Sequence, residues 1–191
     1  MTARTHDAFA FASLITIAAY FPPQNLTLYT LFASVVGNIT GALIPDMDSA
    51  GNRLWDLLPF GNTVAKYFRL VFYKHRSITH SFLGLFLVYK LLEWVLPKLF
   101  NPSFVDPHTL LISMMIGYIS HLIADGLTEE GLPLLFPFKM KFGFPPIVKW
   151  RITTGSWFEK FVIFPALGIY LFFFIQAHVD QLLPILKLIR K

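Results

Sequence analysis

Histidines and carboxylates recur in short pairs along this chain, each pair beside an apolar run. His121 and Asp125, in Ser-His-Leu-Ile-Ala-Asp-Gly, stand four residues apart. On a helix both project from one face about one turn apart. A neutral imidazole beside a carboxylate suits zinc, manganese or iron(II); the pair taken alone also reads as a helix-stabilising hydrogen bond. Asp46 and Asp48, in Ile-Pro-Asp-Met-Asp-Ser, are two apart in a turn, where two carboxylates bind one ion, bridge two, or simply end a helix. His75 and His80 share the run His-Arg-Ser-Ile-Thr-His-Ser, in which Arg76, with Lys74 beside it, has the charge to orient a phosphate. His6 and Glu159 each stand at the start of an apolar run.

The elements that must position these residues are membrane helices. The 191 residues are 55% hydrophobic and 14% charged, with 21 Phe, whereas a soluble domain carries about 25% charged residues. Apolar stretches fall at roughly 8–21, 26–44, 79–100, 107–126 and 157–178, most near the ~20 residues a span needs. The third contains Lys90 and Glu93, three apart on one helical face and able to pair. Pro22, Pro23, Pro45, Pro97, Pro102 and Pro107 lie at the expected ends. No small-residue cleavage site follows Phe21-Pro22-Pro23, so the first run reads as a retained helix. Two polar segments, 45–78 and 127–156, separate the runs, and the second reads as an ordered loop at the membrane interface. Trp55, Trp94, Trp150 and Trp157 sit near span ends, as interfacial anchors do. Cysteine is absent, which excludes disulfides, thiolate zinc ligation and a Cys nucleophile.

Five crossings place His6, Asp46, Asp48, His75, His80, His121, Asp125 and Glu159 on one membrane face, and His108 and His178 on the other. The same face receives Arg4, Arg53, Lys66, Arg69, Lys74, Arg76, Lys139, Lys141, Lys149, Arg151 and Lys160; before the C-terminal tail the opposite face receives only Lys98. That asymmetry marks the ligand-bearing face as cytoplasmic, and accounts for the net charge of +5 without a nucleic-acid partner. Residues 181–191 read either as an outer tail or as an interfacial amphipathic piece. The expected fold is therefore all-α: one domain over residues 1–191, an integral membrane bundle of about five spans with a metal site at its cytoplasmic helix ends.

The order of motifs resembles a known family. Thr-His near the N-terminus, Pro-Asp-x-Asp, His-Arg-x-x-Thr-His-Ser and Gly-Tyr-x-Ser-His-x-x-x-Asp are similar to the YdjM family, as is the continuation through Gly131-Leu132-Pro133-Leu134-Leu135 and Glu159-Lys160-Phe161. The resemblance implies a membrane-bound, metal-dependent hydrolase of a bacterial or archaeal cytoplasmic membrane, distantly similar to zinc-dependent phospholipase C and the P1-type nucleases. It implies His6, one or both of Asp46 and Asp48, His80, His121, Asp125 and Glu159 as metal ligands, with His75 either a ligand or a support for one. The soluble enzymes supply further histidines after their His-x-x-x-Asp, and this chain has none between His121 and His178. Two ions, zinc first and manganese second, are thus expected rather than three.

The function expected on this basis is hydrolysis of a phosphoester or phosphodiester by a metal-activated water. Asp46 or Asp48 would serve as general base and Arg76 would hold a phosphate oxygen. A site at helix ends suits a membrane lipid or lipid-linked phosphate as substrate, and no obligate protein partner is called for. The alternative is a non-catalytic membrane protein with a structural or metal-handling site. A transporter fits less well, because its ligands belong near the bilayer midplane.

Overall fold

The computed structural model describes residues 1–24, 26–48, 54–57, 61, 63, 66, 78–138 and 140–189. Among the described residues it is helical, without a β-strand. Helix α1 spans Ala3–Tyr20, α2 Leu28–Leu43, α3 Phe82–Leu99 and α4 Pro107–Gly126. A π-helical turn over Glu159–Ile163 runs directly into α5, Phe164–Ala177, and α6 covers Val179–Ile189. Short 3-10 turns lie at Pro45–Asp48 and Ile78–His80. Four of the five anticipated runs match their helices to within about three residues. α1 starts five residues earlier than its apolar run, and so carries His6 on the helix itself.

Local chemistry sets several of these ends. Thr27 Oγ1 accepts from the Thr30 N–H at the start of α2, and Ser81 Oγ accepts from Gly84 N–H at the start of α3. Asp106 caps α4, accepting from His108 and Thr109, with Pro107 in the first turn where its missing N–H costs nothing.

α4 is the centre of the bundle, packed against α1, α2 and α3, while α1 touches α5 and α6. The α2–α4 seam is inverted relative to a soluble core. α2 buries Thr30, Ser34, Gly37, Asn38 and Gly41 and exposes Tyr29, Phe32 and Val36. Small residues inside and bulky apolar ones outside is the pattern of helices that associate in lipid, where burial of apolar surface gives no advantage. Gly37 and Gly41 form a small-x-x-x-small pair. A Cβ on Gly41 would lie 2.0 Å from the Met114 carbonyl oxygen, and one on Gly117 would lie 1.9 Å from that of Asn38. Asn38 Nδ2 donates to Ser113 O across the seam at 3.1 Å.

α4 and the continuous Glu159–Ala177 segment are long and apolar enough to cross a membrane, and α2 is a shorter apolar helix. Within the Glu159–Ala177 segment only 6% of the most apolar window is buried inside the protein, leaving Phe161, Phe172 and Phe173 outward. α3 also turns Phe82, Phe86, Leu91 and Trp94 outward. Its Lys90 and Glu93 pair at 2.7 Å on the exposed surface, with the Tyr89 hydroxyl also donating to Glu93. α6 packs on α1 through Leu182. One expectation fails: Trp55 is buried, its Nε1–H donating to Met47 O at 3.0 Å, and it is not an interfacial anchor. Its indole N–H is used to close the turn after α2.

Overpacking a tight contact costs about 1–3 kcal/mol, and here the obstacle is backbone. Gly41→Ala should lower the thermal midpoint in detergent well below that of the parent protein. Gly168→Ala in α5, where a Cβ meets nothing within 4 Å, should leave it unchanged or raise it slightly. Equal midpoints for the two variants would refute the backbone contact.

Candidate metal centre

The helix ends deliver the ligands to one end of the bundle. His6 lies in the first turns of α1, Asp46 in the 3-10 turn after α2, His80 in the turn before α3, and His121 and Asp125 in the last turns of α4. His108 opens α4, about 25 Å along the axis from Asp125 at 1.5 Å per residue. His178 follows α5 and meets Tyr20 at the far end of α1. Both therefore stand away from the cluster, as the order of crossings requires.

Four ligand atoms converge, one each from Asp46, His80, His121 and Asp125, all within 4.8 Å of one another. His80 Nε2 is 3.4 Å from Asp46 Oδ1 and 3.6 Å from Asp125 Oδ2. His121 Nε2 is 3.6 Å from Asp46 Oδ1 and 3.7 Å from Asp125 Oδ2. Hydrogen bonds between such atoms close to about 2.7–3.2 Å. Ligands around a tetrahedral ion at ~2.0–2.1 Å stand about 3.3–3.4 Å apart, which is nearer the spacing seen. Both ring nitrogens of His121 are buried without a hydrogen-bond partner, a costly state for a polar group with no other role. Two imidazole nitrogens and two carboxylate oxygens suit zinc, manganese or iron(II). The residues present thus fit a divalent ion.

His80, His121 and Asp125 have side chains at most 2% exposed, whereas that of Asp46 is 33% exposed. Asp46 is therefore the edge of the cluster that meets solvent. Its carboxyl is pushed up by burial, but His121 and His80 outweigh that and hold it well below the ordinary carboxylate range. Burial favours neutral His80, yet the facing Asp125 and Asp46 carboxylates leave its pKa raised above the usual imidazole value.

His6 stands beside this group. Its Nε2 is 3.2 Å from Asp125 Oδ1, and its ring stacks on His121 with centroids 3.8 Å apart. The Met1 ammonium also donates to Asp125 Oδ1 at 2.7 Å. Asp125 thus presents one oxygen to His80 and His121 and the other to His6. Glu159 is fully buried, but its oxygens accept the N–H groups of Thr2 and Gly155, at 2.6 and 2.7 Å. It lies outside the four-atom group and ties the first turn of α1, and so His6, to the start of the α5 segment. His75, Arg76 and the Asp48 side chain lie outside the described residues.

Two positioning residues emerge that the spacing alone did not single out. The Tyr118 hydroxyl donates to the Thr79 carbonyl, and Thr79 Oγ1 lies 3.2 Å from His80 Nδ1. This turns Nε2 of His80 toward the carboxylates, the kind of support that orients metal-ligating histidines. The available signal was that residues 118, 121 and 125 share one face of α4.

A helical bundle with apolar outer faces, small residues within and a His/Asp ligand cluster at one end defines the class: a helical membrane protein with a candidate metal centre. A family model described as YdjM inner membrane protein matches residues 1–180, and the chain belongs to that family. It is 29% identical to the inner membrane protein YdjM of Escherichia coli (strain K12) over 169 residues, 85% of this chain and 77% of that one. It is 30% identical over 163 residues to the uncharacterized protein YvsG of Bacillus subtilis (strain 168), 85% of this chain and 88% of that one. No solved structure matches it significantly.

Protonated histidine cannot ligate, so metal binding competes with protons. Because the His80 pKa is raised, apparent zinc affinity should still be climbing as pH passes above the ordinary imidazole value of 6.5. Competition with a chromophoric chelator from about pH 6 to 8.5 reads this directly. An affinity flat across that range would show that no imidazole is displaced from its proton.

Proposed function

We propose that this protein is a membrane-bound, metal-dependent hydrolase of a phosphoester or phosphodiester bond in a lipid or lipid-linked substrate. The single observation that carries the reading is the convergence of Asp46, His80, His121 and Asp125 on one buried point at metal-ligand spacing. About five spans with this end in the cytoplasm account for the basic residues: Arg4, Lys141, Lys149 and Lys160 belong to the cluster's end and Lys98 to the other. The reading carries two ions, zinc before manganese, on the donor set that the family resemblance implies, of which the four-atom group would hold one.

Asp46, His80, His121 and Asp125 would hold a divalent ion, which would lower the pKa of a bound water from 15.7 towards ~7 and neutralise charge on phosphoryl oxygens. The protein's own part is positional. His80 and His121 enter as neutral donors fixed by the Tyr118–Thr79 chain and by the α4 backbone. Asp46, the exposed edge, or Asp48, whichever carboxylate is left uncoordinated, would take the proton from the attacking water as general base. Arg76 would hold a phosphate oxygen, His75 would join or support the ligand set, as the family resemblance implies, and Glu159 fixes the α1 turn that bears His6. A headgroup reaches this end while its tails stay in the bilayer, which is why a lipid or lipid-linked phosphate is the favoured substrate class.

Four protein ligands around one ion is also the closed arrangement of structural zinc, and this favours a second reading in which the ion only braces the helix ends. The two diverge in measurement. Elemental analysis should find about two ions per chain in the parent protein and less than half of that in His121→Ala and Asp125→Ala, with helix content retained by circular dichroism. Hydrolysis of a short-chain phospholipid and phosphodiester panel should fall with the metal, and Asp46→Asn should lower it by ~10²–10⁴-fold. Metal bound with no turnover of any phosphoester supports the structural reading; undiminished metal in both alanine variants removes the centre altogether.

A further inference from the structure

The chain from residue 127 to 152 leaves the end of α4 and returns to it, with Thr128 bridged to Ile152 and Leu132 to Phe142. Residues 131–151 contain Lys139, Lys141, Lys149 and Arg151 and no Asp or Glu. Glu129 and Glu130 precede the segment, and Glu129 accepts from Thr153 at 2.9 Å. Its exposed side chains are mostly apolar: Phe138 and Phe144 are 69% exposed and Trp150 70%, with Met140, Ile147 and Val148 also outward. Apolar surface of that extent on a loop marks a contact with something other than water.

The backbone is built for the same surroundings. Pro133, Pro137, Pro145 and Pro146 remove four N–H donors. The Arg151 guanidinium donates to the carbonyls of Pro145, Gly143 and Pro146 at 2.7, 3.1 and 3.2 Å. Leu132 and Phe142 exchange N–H···O bonds, and Phe144 N–H donates to Gly126 O. A non-helical segment survives in a low-dielectric layer only when its polar backbone is satisfied by protein in this way.

The direction of the loop is set by a lateral cleft of about 620 Å³. Phe142 and Phe144 form one wall, Phe82 and Leu85 of α3 and Ile119 and Ile123 of α4 the other. Ile119 lies seven residues before Gly126, about 10 Å down the helix. The loop therefore runs back along the flank of the bundle, with Lys141 next to the wall.

We propose that residues 131–138 and 140–151, with the α3–α4 flank, bind an anionic phospholipid, its acyl chain in this cleft and its phosphate against Lys141, with Lys149 adding to the positive field. The apolar walls select a chain, and a basic segment free of acids selects a negative headgroup over a zwitterionic one. The site shares no residue with the metal ligands and stands whether or not the protein is a hydrolase.

The chain has no cysteine, so Phe144→Cys accepts a single bimane label on the full protein in proteoliposomes. Quenching is read with doxyl-acyl phosphatidylglycerol and doxyl-acyl phosphatidylcholine in phosphatidylcholine vesicles. The expected result is quenching by both lipids, with about five-fold less phosphatidylglycerol needed per lysine engaged, since each lysine near a surface contributes ~1 kcal/mol. That preference should fall to near one in Lys141→Gln/Lys149→Gln. A label at Phe172→Cys, on the outward face of α5, should show a ratio near one throughout. Quenching of the residue-144 label by aqueous iodide alone would overturn the site. A ratio near one with the lysines intact, or one unchanged by their removal, would equally overturn it.

Discussion

A methyl group on Gly41 would sit 2.0 Å from the Met114 carbonyl oxygen, and one on Gly117 would sit 1.9 Å from that of Asn38. At those points α2 and α4 therefore meet backbone to backbone. The consequence reaches the ends of both helices. Asp46 follows the last turn of α2, and His121 and Asp125 occupy the last turns of α4, so the depth of the seam sets how close the Asp46 carboxylate comes to the two α4 ligands. A wider seam, filled by ordinary apolar side chains, would leave Asp46 too far away to share a ligand sphere. The small residues of α2 thus serve the ligand cluster as well as the packing.

The second constraint is electrostatic. Two carboxylates and two imidazoles are held at one end of an apolar bundle, three of them all but inaccessible. Burying charges costs several kcal/mol each unless partners offset it; the Met1 ammonium offsets Asp125 on one oxygen, while the two imidazoles face the carboxylates at metal-ligand rather than hydrogen-bond spacing. The surrounding turns are secured by hydrogen bonds: Tyr118 on Thr79, Ser81 on the start of α3, and the Glu159 carboxylate on the amides of Thr2 and Gly155. The arrangement spends its polar side chains on fixing ligand direction, the usual requirement for holding an ion in one geometry.

Much of this was legible in the residue order. Pairs such as His121 and Asp125 announce themselves by spacing, and counting crossings brings His6, Asp46, His80, His121, Asp125 and Glu159 to one end without any coordinates. The helix boundaries followed from proline positions and run lengths. Other features depend on contacts between distant segments, which periodicity does not carry. Asn38 reads as an oddity within an apolar run until Ser113 lies opposite it. Trp55 resembles an interfacial anchor until its indole is seen to close the turn on Met47. Glu159 has the right type and place for a ligand, but two backbone amides occupy its oxygens. Arg151 counted only as a cytoplasmic charge, whereas its guanidinium binds three carbonyls of a proline-rich loop. The resemblance to the YdjM family implied a wider ligand set, of which Asp46, His80, His121 and Asp125 converge in the structure.

The central claim is that His80 and His121 belong to a metal centre, and X-ray absorption on the metal-loaded protein in detergent tests it most directly. The account predicts a nitrogen and oxygen shell at ~2.0–2.1 Å with no sulfur, and outer-shell scattering from at least two imidazoles that weakens in His121→Ala. A shell of oxygens without imidazole scattering, unchanged in that variant, would place the ion on surface carboxylates and contradict the account.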